Sequence, residues 1–369
     1  MESYSSEVEE QMTKVVAKDI SKIYGATKAV YRAHLEAKDS EFVTILGPSG
    51  CGKSTTLRII AGLIRADEGR VYFDDKDVTD LSPNRRNIGF VFQRVALFPH
   101  MNVRKNIAFG LKARHYSDTE IGRKTKEVLA IVHMEGYEDR APAQLSGGQA
   151  QRIEIARVLA TDPDVLLFDE PLSNIDAKLR DELKFEIRKI QRETGKTMVY
   201  VTHDQGEAFA ISDRIYVMSQ GIVEQVGTPT ELYTDPSTPF VASFIGQNNF
   251  VTGTIKAMDT ASGMGTVLAG GIEIHTQIPR EHAAGDKVTA CIRPEDIEIL
   301  PEARGGSKGA TTATIIESIF LGNTTRLHVD ANGTILKVDL RGPERFSYLN
   351  AAGKEIIIDL EKCTVIRAE

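Results

Sequence analysis

Residues Gly47, Pro48, Ser49, Gly50, Cys51, Gly52, Lys53, Ser54 and Thr55 set small residues, one lysine and hydroxyls at a spacing that can wrap a polyphosphate. Glycines let backbone N–H groups turn onto phosphate oxygens, Lys53 can reach the β- and γ-phosphates, and the Ser54 hydroxyl is a Mg2+ ligand. A strand-like run, "EFVTIL", precedes the loop and a helix-like run, "TTLRIIAGL", follows it, which argues against a chance glycine turn. Further along, "VLLFDEP" places Asp169 and Glu170 just past a buried strand. Asp169 can hold the Mg2+ shell and Glu170 can polarise the water that attacks a γ-phosphate. An isolated Asp-Glu pair is commonly a helix cap; two acids at a strand end in a chain with a phosphate loop favour chemistry. Gln93 and His203 end two more strand-like runs. Either alone reads as an ordinary polar cap, but their shared position lets Gln93 touch Mg2+ or the lytic water and His203 the γ-phosphate.

A second glycine-rich helix start lies at Ser146, Gly147, Gly148 and Gln149, within "LSGGQAQRIEIARVLA". Helix N-termini attract anions through free N–H groups and the helix dipole. One phosphate loop already serves ATP from one side, so the second start is expected to reach the ATP of another copy packed head-to-tail. Two-fold pairing of that kind is the commonest closed assembly.

The elements that must position these residues follow a simple pattern. Strand-like runs at 41–46, 88–92, 164–168, 197–202 and 214–218 alternate with amphipathic segments, which predicts an α/β fold with a mainly parallel sheet. Ligands of such sheets sit beyond the carboxyl ends of the strands, where the residues above collect. Two helix-like segments and no strong strand fill most of the stretch between Phe92 and Val165, so a helical insert is expected over about 94–160. After Gly246 short alternating segments broken by Gly, Asn and Asp predict an all-β barrel or sandwich. The expected organisation is a polar tail at 1–12, an α/β domain at 13–245 and a β-rich domain at 246–369.

Bulk properties narrow the function classes. With 369 residues, 41% hydrophobic and 26% charged, the chain suits a multidomain globular protein. A net charge of −7 argues against a general nucleic-acid binder. Cys51, Cys291 and Cys363 form no CxxC pair, which fits a reducing compartment and no metal framework. The acidic start "MESYSSEVEE" is not a secretory signal, and no apolar run approaches the ~20 residues of a membrane span.

Together the phosphate loop, Gln93, "LSGGQ", "VLLFDE", the loop "SNID" and His203 resemble the ATP-binding subunit of an ATP-binding-cassette (ABC) transporter over residues 15–245. The segments "FVASFIG", "IRPEDIEI" and "IESIFLGNTTRLHV" resemble the C-terminal regulatory extension of importer ATPases, an OB-like barrel of the TOBE type. The resemblance implies a P-loop NTPase cassette that hydrolyses ATP with Mg2+, works as a homodimer, and drives permease subunits served by an extracytoplasmic binding protein. The site would lie at the cytoplasmic face of the membrane. By resemblance Tyr24 stacks on adenine, Gln93 links the Mg2+ site to the permease, Glu170 is the general base, His203 holds the γ-phosphate and Asp176 lies at the subunit contact.

Three positions depart from the pattern. Glu154 stands where an apolar or small residue is usual and is assigned to the exposed face of its helix. Arg94 follows Gln93 where uncharged residues are common. Ser40 replaces a frequent turn glycine. By resemblance, sugar importers often continue "FIG" with a Ser-Pro-x-Met-Asn segment, and "FIGQNNFVTGTI" here implies instead a polyamine, ferric-iron or organophosphonate importer. A soluble ABC-type ATPase acting on nucleic acid or ribosomes is disfavoured by the single cassette and acidic balance, and a metabolite kinase by the LSGGQ segment.

Overall fold

The computed structural model describes residues 13–259, 261–301 and 309–368. The chain divides into two compact units, Met1–Pro229 and Thr230–Glu369.

In the first unit, β1 (Val15–Tyr24), β2 (Thr27–Ala37), β4 (Glu68–Phe73) and β5 (Lys76–Asp77) form an antiparallel sheet in the order β2-β1-β4-β5. The central sheet runs β10-β9-β3-β8-β7-β6, from β3 (Phe42–Leu46), β6 (Ile88–Val91), β7 (Val165–Asp169), β8 (Thr197–Thr202), β9 (Arg214–Ser219) and β10 (Ile222–Gly227). All its pairings are parallel except that of the edge strand β10 with β9. β3, β7 and β8 are buried at every residue, as expected of parallel strands covered on both faces. Alternation splits them between two cores. Leu166, Phe168, Met198 and Tyr200 pack with the helical layer, whereas Val165, Leu167, Val199 and Val201 pack with the antiparallel sheet and α1 (Lys53–Ile60).

The helical layer contains α2 (Val103–Ala113), α3 (Asp118–Ile131) and α4 (Gly147–Leu159) between β6 and β7, with α5 (Ala177–Thr194) and α6 (Gln205–Ile211) flanking β8. Each starts on a side-chain cap: Asn102, Ser117, Ser146, Asp176 and Asp204 accept a hydrogen bond from an N–H of the first turn. α1 differs, because its cap position is Gly52 and no side chain bonds its N–H groups. Ser40, at the turn before β3, adopts φ 56, the left-handed conformation a glycine would take, and its Oγ donates to the Gly195 carbonyl at 2.6 Å.

The second unit opens one residue into the short helix α7 (Pro229–Thr234) and continues with α8 (Pro239–Phe244). The packing boundary thus precedes the change of sequence pattern after Gly246. Buried Arg293 explains it: Arg293 donates to the carbonyls of Tyr233, Ile245 and Gln247, fastening the helical segment to the strands. Those strands form two five-stranded sheets. One runs β13-β12-β11-β14-β20, from β11 (Asn249–Met258), β12 (Met264–Ala269), β13 (Ile272–Gln277), β14 (Lys287–Ile292) and β20 (Thr364–Arg367). The other runs β15-β19-β16-β17-β18, from β15 (Glu298–Leu300), β16 (Ala310–Phe320), β17 (Thr325–Ala331), β18 (Thr334–Leu340) and β19 (Glu355–Asp359). Their inward residues, among them Val267, Ile274, Leu327 and Ile358, share one apolar core.

Candidate active site

The loop Gly47–Gly52 leaves the end of β3 and feeds α1, so its backbone faces the point where β3, β7 and β8 all end. At Gly52 φ is 104, and a β-carbon there would run into the Ala29 carbonyl, so no other residue fits this turn without strain. Ser49 and Gly50 are exposed at the tip, while Cys51 and Lys53 are buried. Lys53 Nζ donates to the carbonyls of Gly47 and Pro48, each at 3.0 Å, which folds the ammonium back under the loop. Ser54 and Thr55 follow in the first turn of α1. Burial pushes the Cys51 thiol above its ordinary value, so it carries little thiolate.

Glu170 is the hub of the polar cluster. Its Oε1 lies 3.6 Å from Lys53 Nζ, and its Oε2 lies 3.1 Å from His203 Nδ1 and 3.5 Å from Gln93 Nε2. Three strand ends, of β6, β7 and β8, therefore deliver one amide, one carboxylate and one imidazole to the same place. Glu170 has φ 46, a conformation costly for a non-glycine residue. Its N–H donates to the Val201 carbonyl at 3.0 Å, which holds the bend against β8.

Next to it, Asp169 Oδ2 pairs with Arg58 of α1 at 3.2 Å. Asp169 Oδ1 is buried and has no hydrogen-bond partner among the described residues. A buried carboxylate oxygen with free lone pairs beside a phosphate loop fits a hard divalent cation, which prefers oxygen ligands. Arg58 carried no motif signal and was not anticipated. The same holds for Glu207; Asn174 lies in the loop "SNID" but was given no role, and its Nδ2 donates to the Gln93 carbonyl at 3.0 Å. Glu207 Oε2 accepts from Tyr200 Oη at 2.9 Å and Thr202 Oγ1 at 2.8 Å, and burial pushes its carboxyl above the ordinary range. The Asp204 N–H donates to Thr202 Oγ1 at 3.0 Å, so this network fixes the turn that presents His203.

The second glycine-rich start is built differently. Ser146 Oγ accepts from the Gln149 N–H at 3.3 Å, and Gln149 Oε1 accepts from the Ser146 N–H at 3.0 Å, a complete capping box. Gly147 faces open space, whereas a β-carbon on Gly148 would come 2.8 Å from Leu179. Leu179 belongs to the first turn of α5, where its N–H caps onto Asp176 Oδ1 at 3.0 Å. Asp176 and the Ser146–Gln149 turn are thus neighbours through Leu179. No hydrogen bond or ion pair among the described residues joins Ser146–Gln149 to residues 47–55. Tyr24 ends β1 as a 51% exposed residue, with the Lys22 ammonium 5.5 Å from its ring centroid.

One expectation is corrected. Glu154 is not on an exposed face: it is fully buried in α4 against the loop after Gln93. Both sides of α4 are covered, since Gln151, Ile153, Ile155 and Ala156 are buried as well, so the helix offers that residue no solvent face.

Comparison with known proteins shows the family. The family profile for ABC transporters matches residues 30–173, and that for the TOBE domain matches residues 290–365. A spermidine/putrescine import ATP-binding protein of Acidothermus cellulolyticus is 43% identical over 318 residues, covering 85% of this chain and 82% of that protein. An sn-glycerol-3-phosphate import ATP-binding protein of a Ruegeria species is 45% identical over 325 residues, covering 88% of each chain. Among solved structures, a dimeric ATP-binding cassette in a post-hydrolysis state with ADP and Pi is 36% identical with a TM-score of 0.52, over 58% of this chain and 98% of that one. The cbiO1 component of a Clostridium perfringens ABC transporter complex is 29% identical with a TM-score of 0.56, over 60% of this chain and 90% of that one.

Proposed function

The chain belongs to the ATP-binding subunits of ABC importers that carry a TOBE domain, ATP-hydrolysing energisers of solute uptake, and from that premise we propose how its residues divide the work. ATP lies along the loop Gly47–Gly52 with its phosphates on the free N–H groups of α1, and Tyr24 offers its exposed ring to the base. Lys53 swings from the Gly47 and Pro48 carbonyls to the β- and γ-phosphates. Ser54, Gln93 and Asp169 would hold Mg2+, a role for which the unpartnered Oδ1 of Asp169 is suited. The ion, when bound, neutralises phosphate charge during transfer. Glu170 takes the proton of the attacking water, and His203, oriented from below by the Glu207 network, bonds the γ-phosphate.

The observation that carries this reading is the convergence of Lys53, Gln93 and His203 on Glu170. The lytic group sits within reach of the phosphate-binding lysine, the imidazole and the amide that leads into the helical insert. Ser146, Gly147 and Gly148 complete the ATP site of a second copy, and Asp176 lies at that contact. ATP then glues two chains together, and loss of the γ-phosphate releases them. No helix among the described residues is long and apolar enough to cross a membrane. By analogy with the import ATP-binding relatives, the motion passes to permease subunits at the cytoplasmic membrane face through the loop after Gln93, and an extracytoplasmic binding protein delivers the solute.

For the solute we favour polyamines, a reading supported by the spermidine/putrescine importers among the relatives. Deleting this chain from its host and following uptake of labelled spermidine and labelled sn-glycerol 3-phosphate tests it. Spermidine uptake should fall about tenfold or more and recover with the parental chain but not with Glu170→Gln. Loss of glycerol-phosphate uptake alone would reassign the solute.

A further inference from the structure

α4 carries a charged pair that the nucleotide chemistry above does not use. Glu154 is fully buried, and Arg157, one turn on, has a side chain only 14% exposed. Glu154 Oε1 accepts a hydrogen bond from the Ala96 N–H at 3.3 Å. Arg157 Nη1 donates to the Ala96 carbonyl at 2.8 Å, and its guanidinium stacks over the Phe98 ring at 5.3 Å. Arg157 Nη2 lies 3.7 Å from Glu154 Oε1, so the two side chains also face each other. One helical turn therefore grips both backbone polar groups of Ala96, a residue of the exposed loop 92–96. Asn174 holds the same loop at the Gln93 carbonyl from the side of α5.

An alanine at position 154 would bury without cost, whereas a buried carboxylate costs several kcal/mol before its bonds are counted. Glu154 recovers only part of that, because its Oε2 has no hydrogen-bond partner among the described residues. A fold that carries such a group beside the link between catalytic glutamine and helical insert gains position rather than stability.

We propose that Glu154 and Arg157 are positioning residues that tie the loop following Gln93 to the helix begun by Ser146–Gly148, so that displacements at the two places are one motion. Neither residue touches nucleotide. Gln93 and the signature turn otherwise meet the reaction from different chains, and the tie makes the loop report on whether the signature turn is engaged.

The tie has two charge states near neutrality. The groups acting on Glu154 are Arg157 on its own helix and the backbone of Phe92 and Ala96 on the loop, and burial outweighs them, pushing the carboxyl up to about 7. The carboxylate makes charge-assisted bonds to the Ala96 N–H and Arg157; the neutral acid makes weaker ones and leaves its own proton without an acceptor. The tie tightens as pH rises through about 7.

Amide exchange across the loop, read as a protection factor to remove the intrinsic pH dependence, tests this in the full chain alongside ATP turnover. Between about pH 6 and about pH 8 parental protection at Ala96 should rise about fivefold to tenfold, while Glu154→Gln, a neutral acceptor of the same shape, should show a flat profile. Glu154→Ala should lose about tenfold in protection at about pH 8, with kcat down about fivefold and KM for ATP within about twofold. Parental protection and kcat in Glu154→Ala, or a parental pH response in Glu154→Gln, would overturn the proposal. The inference rests on placing Gln93 at the reacting end. Parental turnover by Glu170→Gln would sink that placement and leave the exchange result at Ala96 standing, so the two failures are separable.

Discussion

The two glycine-rich helix starts of the cassette look alike as text and differ as physics. At α1 the cap position is a glycine in a left-handed turn, no side chain bonds the first N–H groups, and a buried lysine waits underneath. At α4 a serine and a glutamine already satisfy two of the orphan donors through a capping box. The first start is incomplete without an anion and is built to take one from its own chain. The second is stable as it stands, with Gly147 open to the outside, and adds a contact only when a ligand is brought to it. A helix left uncapped marks where the phosphates belong; a capped one with a bare outer face marks where another surface arrives.

Substitutions can break this contrast. The largest effect is expected at the uncapped start. Lys53→Ala removes the only ammonium the loop cradles and should weaken ATP binding about a hundredfold or more in an equilibrium titration of the isolated chain. Near-parental affinity would mean that the loop backbone alone holds the phosphates. A smaller effect is expected at the capped start. Ser146→Ala deletes the acceptor for the Gln149 N–H and should cost about 1 kcal/mol of stability, seen as a melting point about 2–4 °C lower, with ATP affinity of the monomer unchanged. A loss of monomer affinity at that position would erase the distinction between the two starts.

Much of this was legible in the sequence, and the exceptions have physical causes. β3, β7 and β8 announce themselves because strands buried on both faces must be continuously apolar. Gln93, Glu170 and His203 stand out in the sequence by their place at strand ends, and their side chains are neighbours in the structure. The antiparallel sheet of β1, β2, β4 and β5 was not read out, because register shifts in β1 break the two-residue alternation and half of β2 is exposed and polar. Glu154 was misplaced for a related reason. Residue type suggested a solvent face, but α4 is covered on both sides, so helical phase gave no warning. Arg58 and Glu207 act through other residues, and nothing in a one-dimensional spacing reveals a partner more than a hundred residues away or a carboxylate under a strand end.

On the proposed mechanism an ATP site needs two copies of the chain. Sedimentation of Glu170→Gln with MgATP, compared with the same variant also carrying Ser146→Arg, tests it most directly, with ATP binding measured on both. Glu170→Gln should sediment as an ATP-dependent dimer, and the double variant should bind ATP as a monomer. A Glu170→Gln chain that binds MgATP yet stays monomeric, or turnover by Ser146→Arg alone that is first order in protein, would contradict it.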